Sequence, residues 1–234
     1  MRRRRSAVLL AAALAAAGAG CRHAPAPAAS LPSDWRSLAR PPAPFAALYR
    51  LECCGQRNLV LAVRSAADRM SVSVAVPPGG VAVSVWFESG HGWVQRARER
   101  CREPLPEGSI PVPKGGSLPL DPALAARVLS GVLPERAREL PAAPGWVETT
   151  DGGVTWRARV EGAPARCTRV VVLRSGEERP ILEAELGSHA GQVPKTLALT
   201  AGSQTAELAL VEWHASGALQ APAWLAAPEC GAAR

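Results

Sequence analysis

Alternation with period two is the feature that most constrains this chain. Met70, Val72, Val74 and Val76 share one face, with Ser71, Ser73 and Ala75 on the other. Val81, Val83, Val85 and Phe87 repeat the pattern against Ala82, Ser84 and Trp86. Side chains alternate across a strand, so each run reads as a strand with one apolar face. Pro77-Pro78-Gly79-Gly80 separates the two: proline cannot donate to a ladder and glycine permits the reversal. Similar runs cover 48–52, Leu59, Leu61 and Val63 within 58–64, 93–100, 146–150, 154–161, 167–174, 181–186, 194–200 and 205–214. Polar Gln95, Arg96, Arg98, Glu99 and Arg100 suit an edge or solvent-facing strand.

About ten strands with polar turns form an antiparallel meander. One helix interrupts it: Asp121 is a candidate N-cap, Pro122 a first-turn proline, and Leu124, Val128, Leu129, Val132 and Leu133 share a helical face before Pro134. One helix cannot cover ten flat strands. The expected class is therefore mainly β with covering helices: a curved antiparallel sheet, or unclosed half-barrel, with the mid-chain helix in its concave side. The five prolines and three glycines of 102–120 allow no regular element. That stretch is either a surface excursion or a lid with an apolar underside of Ser109, Ile110, Val112, Leu118 and Leu120.

The N-terminus has a different character. Arg2 to Arg5, the apolar run Ser6 to Ala17 and the small residues Gly18-Ala19-Gly20 form an export signal, 1–20, which is not read as structure. Cys21 follows directly, where a bacterial lipobox places its lipidated cysteine. Ala19 and Gly20 fit such a box, while Gly18 stands where Leu, Val or Ile is usual, so cleavage near Ala17 to Ala19 is the alternative. Acyl chains such as palmitate would anchor with roughly 0.8 kcal/mol per buried methylene. Residues 21–44 read as a Pro/Ala-rich tether, stiff and extended, in which a turn after Ser33 and Asp34 could dock Trp35 and Leu38. The domain proper then spans 45–216, with a C-terminal tail at 217–234.

The overall charge of +7 is a weak hint of nucleic acid. Four of the 27 basic residues are Arg2 to Arg5, and without them the balance against 20 acidic residues is +3. That is ordinary solubility, and no nucleic-acid partner is expected. Arg96, Arg98, Arg100 and Arg102 read as a solvated face, or as a patch for anionic headgroups.

An exported chain meets oxidising conditions. Beyond Cys21 there are five cysteines, so at least one stays free. Cys53 and Cys54 point to opposite faces of a strand. Cys101 with Cys230 is the expected pair, tying a mid-chain loop to the tail, although spacing alone does not decide connectivity. No cysteine or histidine spacing suggests a metal, and no cofactor motif is present: Gly115-Gly116 and Gly152-Gly153 are turn signals. Gly187-Ser188-His189-Ala190-Gly191 is similar to a nucleophile elbow only superficially and reads as a loop between strands. With His23 in the tether, His91, His189 and His214 remain for acid–base work, which makes an envelope hydrolase the least favoured reading.

The stretch from Asp68-Arg69-Met70 through Pro77-Pro78-Gly79-Gly80 to Val81-Ala82-Val83 resembles the lipoprotein-localisation factor superfamily, LolA/LolB-like. So do the helix 121–134 and the closing run Val193 to Leu199, turn, Glu207 to Trp213. The resemblance covers about 46–215. It implies an unclosed barrel whose apolar cavity receives the acyl chains of lipoproteins bound for the outer membrane, without catalysis. The Cys21 anchor fits the membrane-bound receptor type, facing the periplasm of the outer membrane and supplied by a periplasmic carrier protein. The receptor type carries an exposed Leu in the loop between its central strands. The matching, candidate membrane-facing loop here, Pro77, Pro78, Gly79 and Gly80, has no large apolar residue. The candidate cavity lining is Leu59, Leu61, Val63, Met70, Val72, Val74, Val83, Val85, Phe87, Trp156, Leu197, Leu199, Leu208 and Leu210. Trp86, Trp93, Trp156 and Trp213 suit core or rim packing better than ligand contact. The alternative is a non-catalytic scaffold or assembly lipoprotein with the same fold and a filled interior.

Overall fold

The structure, a computed structural model, describes residues 30–105, 110–111, 117–118, 122–151 and 153–231. The export signal, Cys21, the first part of the tether and Asp121 lie outside these residues, as do Ser109, Val112, Leu120, Gly115, Gly116 and Gly152. From Leu31 onward the chain forms one compact unit.

Among the described residues, fifteen strands occur in chain order. The first group is β1 (Phe45–Cys53), β2 (Gln56–Ala66), β3 (Arg69–Ala75), β4 (Val81–Glu88), β5 (His91–Arg96) and β6 (Glu103–Pro104). A short pair, β7 (Ile110–Pro111) and β8 (Ser117–Leu118), and the helix α1 (Pro122–Ser130) follow. The second group is β9 (Arg138–Glu139), β10 (Trp146–Asp151), β11 (Val154–Glu161), β12 (Arg166–Arg174), β13 (Pro180–Ala190), β14 (Val193–Ala201) and β15 (Gln204–Ala215).

Thirteen of them make one antiparallel sheet in the order β6-β5-β4-β3-β2-β1-β15-β14-β13-β12-β11-β10-β9. The sheet does not close on itself, so the molecule is a curved half-barrel, as its period-two pattern predicts. Each wing is a local meander. The wings meet where β1 pairs β15, from Phe45↔Ala215 to Cys53↔Ala206. The buried faces of both wings, α1 and the turn Trp35–Leu38 share one continuous apolar core. In the tether, Trp35 and Leu38 are buried, as their three-residue spacing predicts.

Four sequence expectations are corrected. The helix expected over 121–134 ends at Ser130, where Gly131 takes a φ of 65°, so Val132 and Leu133 lie beyond it. Residues 102–120 contain the short strands β6, β7 and β8, because edge positions in a sheet accept proline. Ser188 and His189 lie inside β13 rather than in a loop, since His189↔Pro194 and Ala190↔Val193 extend its pairing with β14; Ser188 is absorbed as an irregularity at φ 47°. The strand expected over 93–100 stops at Arg96, where the chain enters a turn closed by Glu99 N–H to the Arg96 carbonyl.

The C-terminal tail folds back over the outer face of the first wing. Trp86 points outward from β4 yet is fully buried, forming a second small core with Ala66 and Leu219, flanked by Trp93, Trp224 and Leu225. Arg69 donates to the Leu219 carbonyl, and Arg102 donates to that of Leu225. Cys101 and Cys230 are joined by a disulfide across 129 residues of sequence.

Candidate functional site: an apolar interior

The inner face of β1 presents Phe45, Ala47, Tyr49, Leu51 and Cys53, all buried. Leu59, Leu61 and Val63 continue it on β2, Met70, Val72 and Val74 on β3, and Val83, Val85 and Phe87 on β4. The second wing adds Trp156, Leu197, Leu199 and Leu208. The register aligns these rows: Leu61 faces Val74, which faces Val83, while Leu208 faces both Leu51 and Leu197. Thirteen of the fourteen lining candidates therefore lie on the buried side. Leu210 is only half-buried. Each sealed apolar side chain of this size contributes roughly 1.5–3 kcal/mol.

The helix α1 covers this interior with Ala125, Ala126, Val128 and Leu129. Its C-terminal end is held closely. Arg127 donates to the carbonyls of Leu133 and Arg40, and Leu133 N–H donates to the Leu38 carbonyl. Gly131 sits at φ 65°, and a Cβ there would lie 2.1 Å from the Gln192 carbonyl oxygen, so only glycine fits against the β13–β14 turn. The thirteen sealed lining side chains are at most 8% exposed, closing on one another and on α1. Among the described residues, helix and strands share this one apolar core.

Among the described residues, polar groups inside are few. Ser65 is buried on β2. Tyr49, in the middle of β1, is 0% exposed, and its hydroxyl meets no hydrogen-bond partner among the described residues. Burial pushes its pKa upward, so it stays protonated. An unpaired buried hydroxyl costs about 1–3 kcal/mol. Tyr49 is absent from the candidate lining, although the alternation Phe45, Ala47, Tyr49, Leu51 places it inside. Burial likewise pushes the thiols of Cys53 and Cys167 to about 12, while Cys54, in the hairpin turn, is exposed.

Hollows among the described residues open on the outer face. One, of about 620 Å³, crosses β11 to β15 and β1 over a floor of Gly187, Thr196, Ala198 and Ala209, with walls of Arg50, Glu52, Arg159, Glu161, Arg169, Glu185 and Glu207. Arg159 pairs with Glu161 at 2.7 Å, and Arg169 with Glu183 at 2.6 Å; exposed pairs of this kind add little stability. Another hollow, of about 320 Å³, lies among Leu48, Val60, Pro77 and Val211. Pro77, Pro78, Gly79 and Gly80 are exposed, and Val81, directly after them, is 49% exposed. The loop thus has an apolar flank in Val81 and in Val211, which is 61% exposed.

The three described histidines do not converge. His91 is exposed, His189 Nε2 donates to the Cys167 carbonyl at 2.9 Å, and His214 meets Glu212 at the surface. Of the tryptophans, Trp156 is buried in the interior, Trp213 stacks on Phe45, and Trp86 and Trp93 lie under the tail.

No family profile matches this sequence. No curated protein matches it either. Among solved structures, the fold is similar to that of a LolA superfamily protein from Nitrosomonas europaea, with a TM-score of 0.50 and 11% identity, over 80% of this chain and 92% of that one. A β-barrel-like protein of a domain of unknown function from Brucella abortus aligns with a TM-score of 0.34 and 11% identity, over 75% of this chain and 98% of its own. The half-barrel described above is thus a LolA-like fold.

Proposed function

We propose that this protein takes acyl chains, free or carried on lipidated cargo, into its half-barrel interior without catalysis. One observation carries this reading: both wings of a LolA-like sheet put an almost entirely apolar face into one core with α1. Binding would come from apolar area and shape. The ligand would enter by displacing α1, whose contact with the interior is made by Ala125, Ala126, Val128 and Leu129, with Leu124 partly buried beside them. The candidate lining residues, from Leu59 to Leu210, would contact the chain.

Export supports the same reading. The Cys101–Cys230 bond suits an oxidising compartment. Lipidation at Cys21 would hold the domain on a membrane of the cell envelope, with the tether as a spacer. In this reading it is an outer-membrane lipoprotein facing the periplasm, and a soluble carrier would be its donor.

The closed interior favours a second reading, a scaffold lipoprotein whose barrel stays filled. Native mass spectrometry of the full chain, taken from its host in mild detergent with lipid extraction alongside, separates the two. Acyl binding predicts a copurified acyl species, lost in Val74→Thr. A bare mass, with no uptake of a fluorescent fatty acid, would leave the scaffold. Cys21→Ser tests the anchor: the protein should move from the membrane to the soluble fraction.

A further inference from the structure

We infer that Tyr49 is the polar handle of the interior, its hydroxyl donating a hydrogen bond to the carbonyl oxygen of a bound acyl group. The inference rests on the acyl-binding reading above and names the part of the ligand that the interior recognises. Tyr49 is sealed from solvent, and its hydroxyl has no partner among the described residues. Its cross-strand neighbours are Leu61 and Leu210. None of these offers an acceptor, and Phe would fill the same space without leaving a donor unpaired.

Backbone geometry singles out the same residue. The pairing of β1 with β15 shifts register between Leu48 and Tyr49: Tyr49 faces Leu210 while Leu48 faces Glu212. Val211 is the extra residue of this bulge and is turned out to solvent. Bulges bend a strand and re-aim its side chains, and they gather beside sites. Leu210, opposite Tyr49, is also the one lining candidate left half-open. A hydrocarbon chain cannot accept a hydrogen bond, whereas the carbonyl at its head can. An ester and a free carboxyl share that chemistry.

The test uses the full delipidated chain, wild type and Tyr49→Phe, with 1-N-phenylnaphthylamine as a carbonyl-free apolar probe. Methyl laurate and lauric acid serve as competitors. Wild type and variant should bind the probe alike, and methyl laurate should displace it about tenfold less well from the variant. Loss confined to lauric acid would identify a carboxyl in place of an ester as the partner. The carbonyl stretch of bound 1-¹³C methyl laurate should lie at lower wavenumber in wild type than in Tyr49→Phe, and thermal stability should not fall in the variant. A wild type that binds neither probe nor laurate overturns the acyl-binding reading, and this inference with it. Equal displacement in both proteins, or a variant whose melting temperature drops sharply, overturns the role of Tyr49 alone.

Discussion

Phe45 and Trp213 stack with ring centroids 4.3 Å apart and planes 14° apart. Phe45 opens the first strand and Trp213 lies near the end of the last, so this contact closes the seam between the two wings. Phe45 is buried and Trp213 half-buried. Phe45→Ala should cost about 3–5 kcal/mol. Trp213→Ala should cost less, about 1–2 kcal/mol, mostly the stacking contribution. Urea unfolding of both variants measures the difference.

The two sides of the sheet should answer a new charge very differently. Val74 is 0% and Phe87 7% exposed, so Val74→Asp or Phe87→Asp places a carboxylate in the apolar core and should destabilise by more than about 3 kcal/mol. Val211 is 61% exposed, and Val211→Asp should stay within about 0.5 kcal/mol. Equal effects in chemical denaturation would mean that inner and outer faces are misassigned.

Removing the disulfide should loosen the tail first. The Cys101–Cys230 bond closes a loop of 129 residues, and its loss should cost about 2–5 kcal/mol. Trp86 is buried beneath the tail residue Leu219, with Trp93 and Trp224 at its flank. Cys101→Ser with Cys230→Ser should therefore shift tryptophan emission to the red at denaturant concentrations where the circular dichroism of the sheet is unchanged.

Thiol chemistry should be graded by burial. Cys54 is exposed and should react with Ellman's reagent within minutes near pH 8. Cys53 and Cys167, held near a pKa of 12 by burial, should wait for unfolding. A folded pKa raised above the unfolded value contributes stability that is complete below the unfolded pKa of about 9. That contribution fades as pH rises toward 12. Replacing Cys167 with Ala should flatten the alkaline loss of stability in that window.

His189 predicts the opposite pH dependence. Burial lowers its pKa below 6.5, against the hydrogen bond it donates to the Cys167 carbonyl and with the charge of Arg166 adding to the lowering. Its contribution is therefore complete above about pH 6.5 and is lost as pH falls through the depressed value. An NMR titration should place the His189 midpoint below 6.5. In His189→Gln, which keeps a donor, the acid loss of stability should be smaller.

Local pattern carried much of the fold. Met70 to Val76 and Val81 to Phe87 announce their inner faces by alternation alone, and Pro77 to Gly80 announces the turn between them. What local pattern lacks is the identity of distant partners. Trp86 falls on the polar side of its strand, and the returning tail, with Leu219, Trp224 and Leu225, helps to bury it. The pairing of β1 with β15 has no local signature either. Ser188 and His189 read as a loop because Gly187 and Ser188 weaken a strand by propensity, yet pairing with β14 overrides that weakness. In the interior, the buried side of each strand was legible from the alternation of its aliphatic residues. The unpaired hydroxyl of Tyr49 was not, because satisfaction of a donor depends on everything packed around it.

The strand order also has a consequence for how the molecule forms. Every neighbouring pair in the thirteen-stranded sheet is consecutive in sequence except β1 with β15. Each wing is thus a chain of hairpins that can zip with short loop closures, while the seam must bring Phe45 to Ala215. Pairing over so long a separation pays its closure entropy before any contact rewards it. Refolding should therefore run in two stages, fast protection of amides within each wing and slow protection along β1 and β15, with the Phe45–Trp213 stack reporting the second.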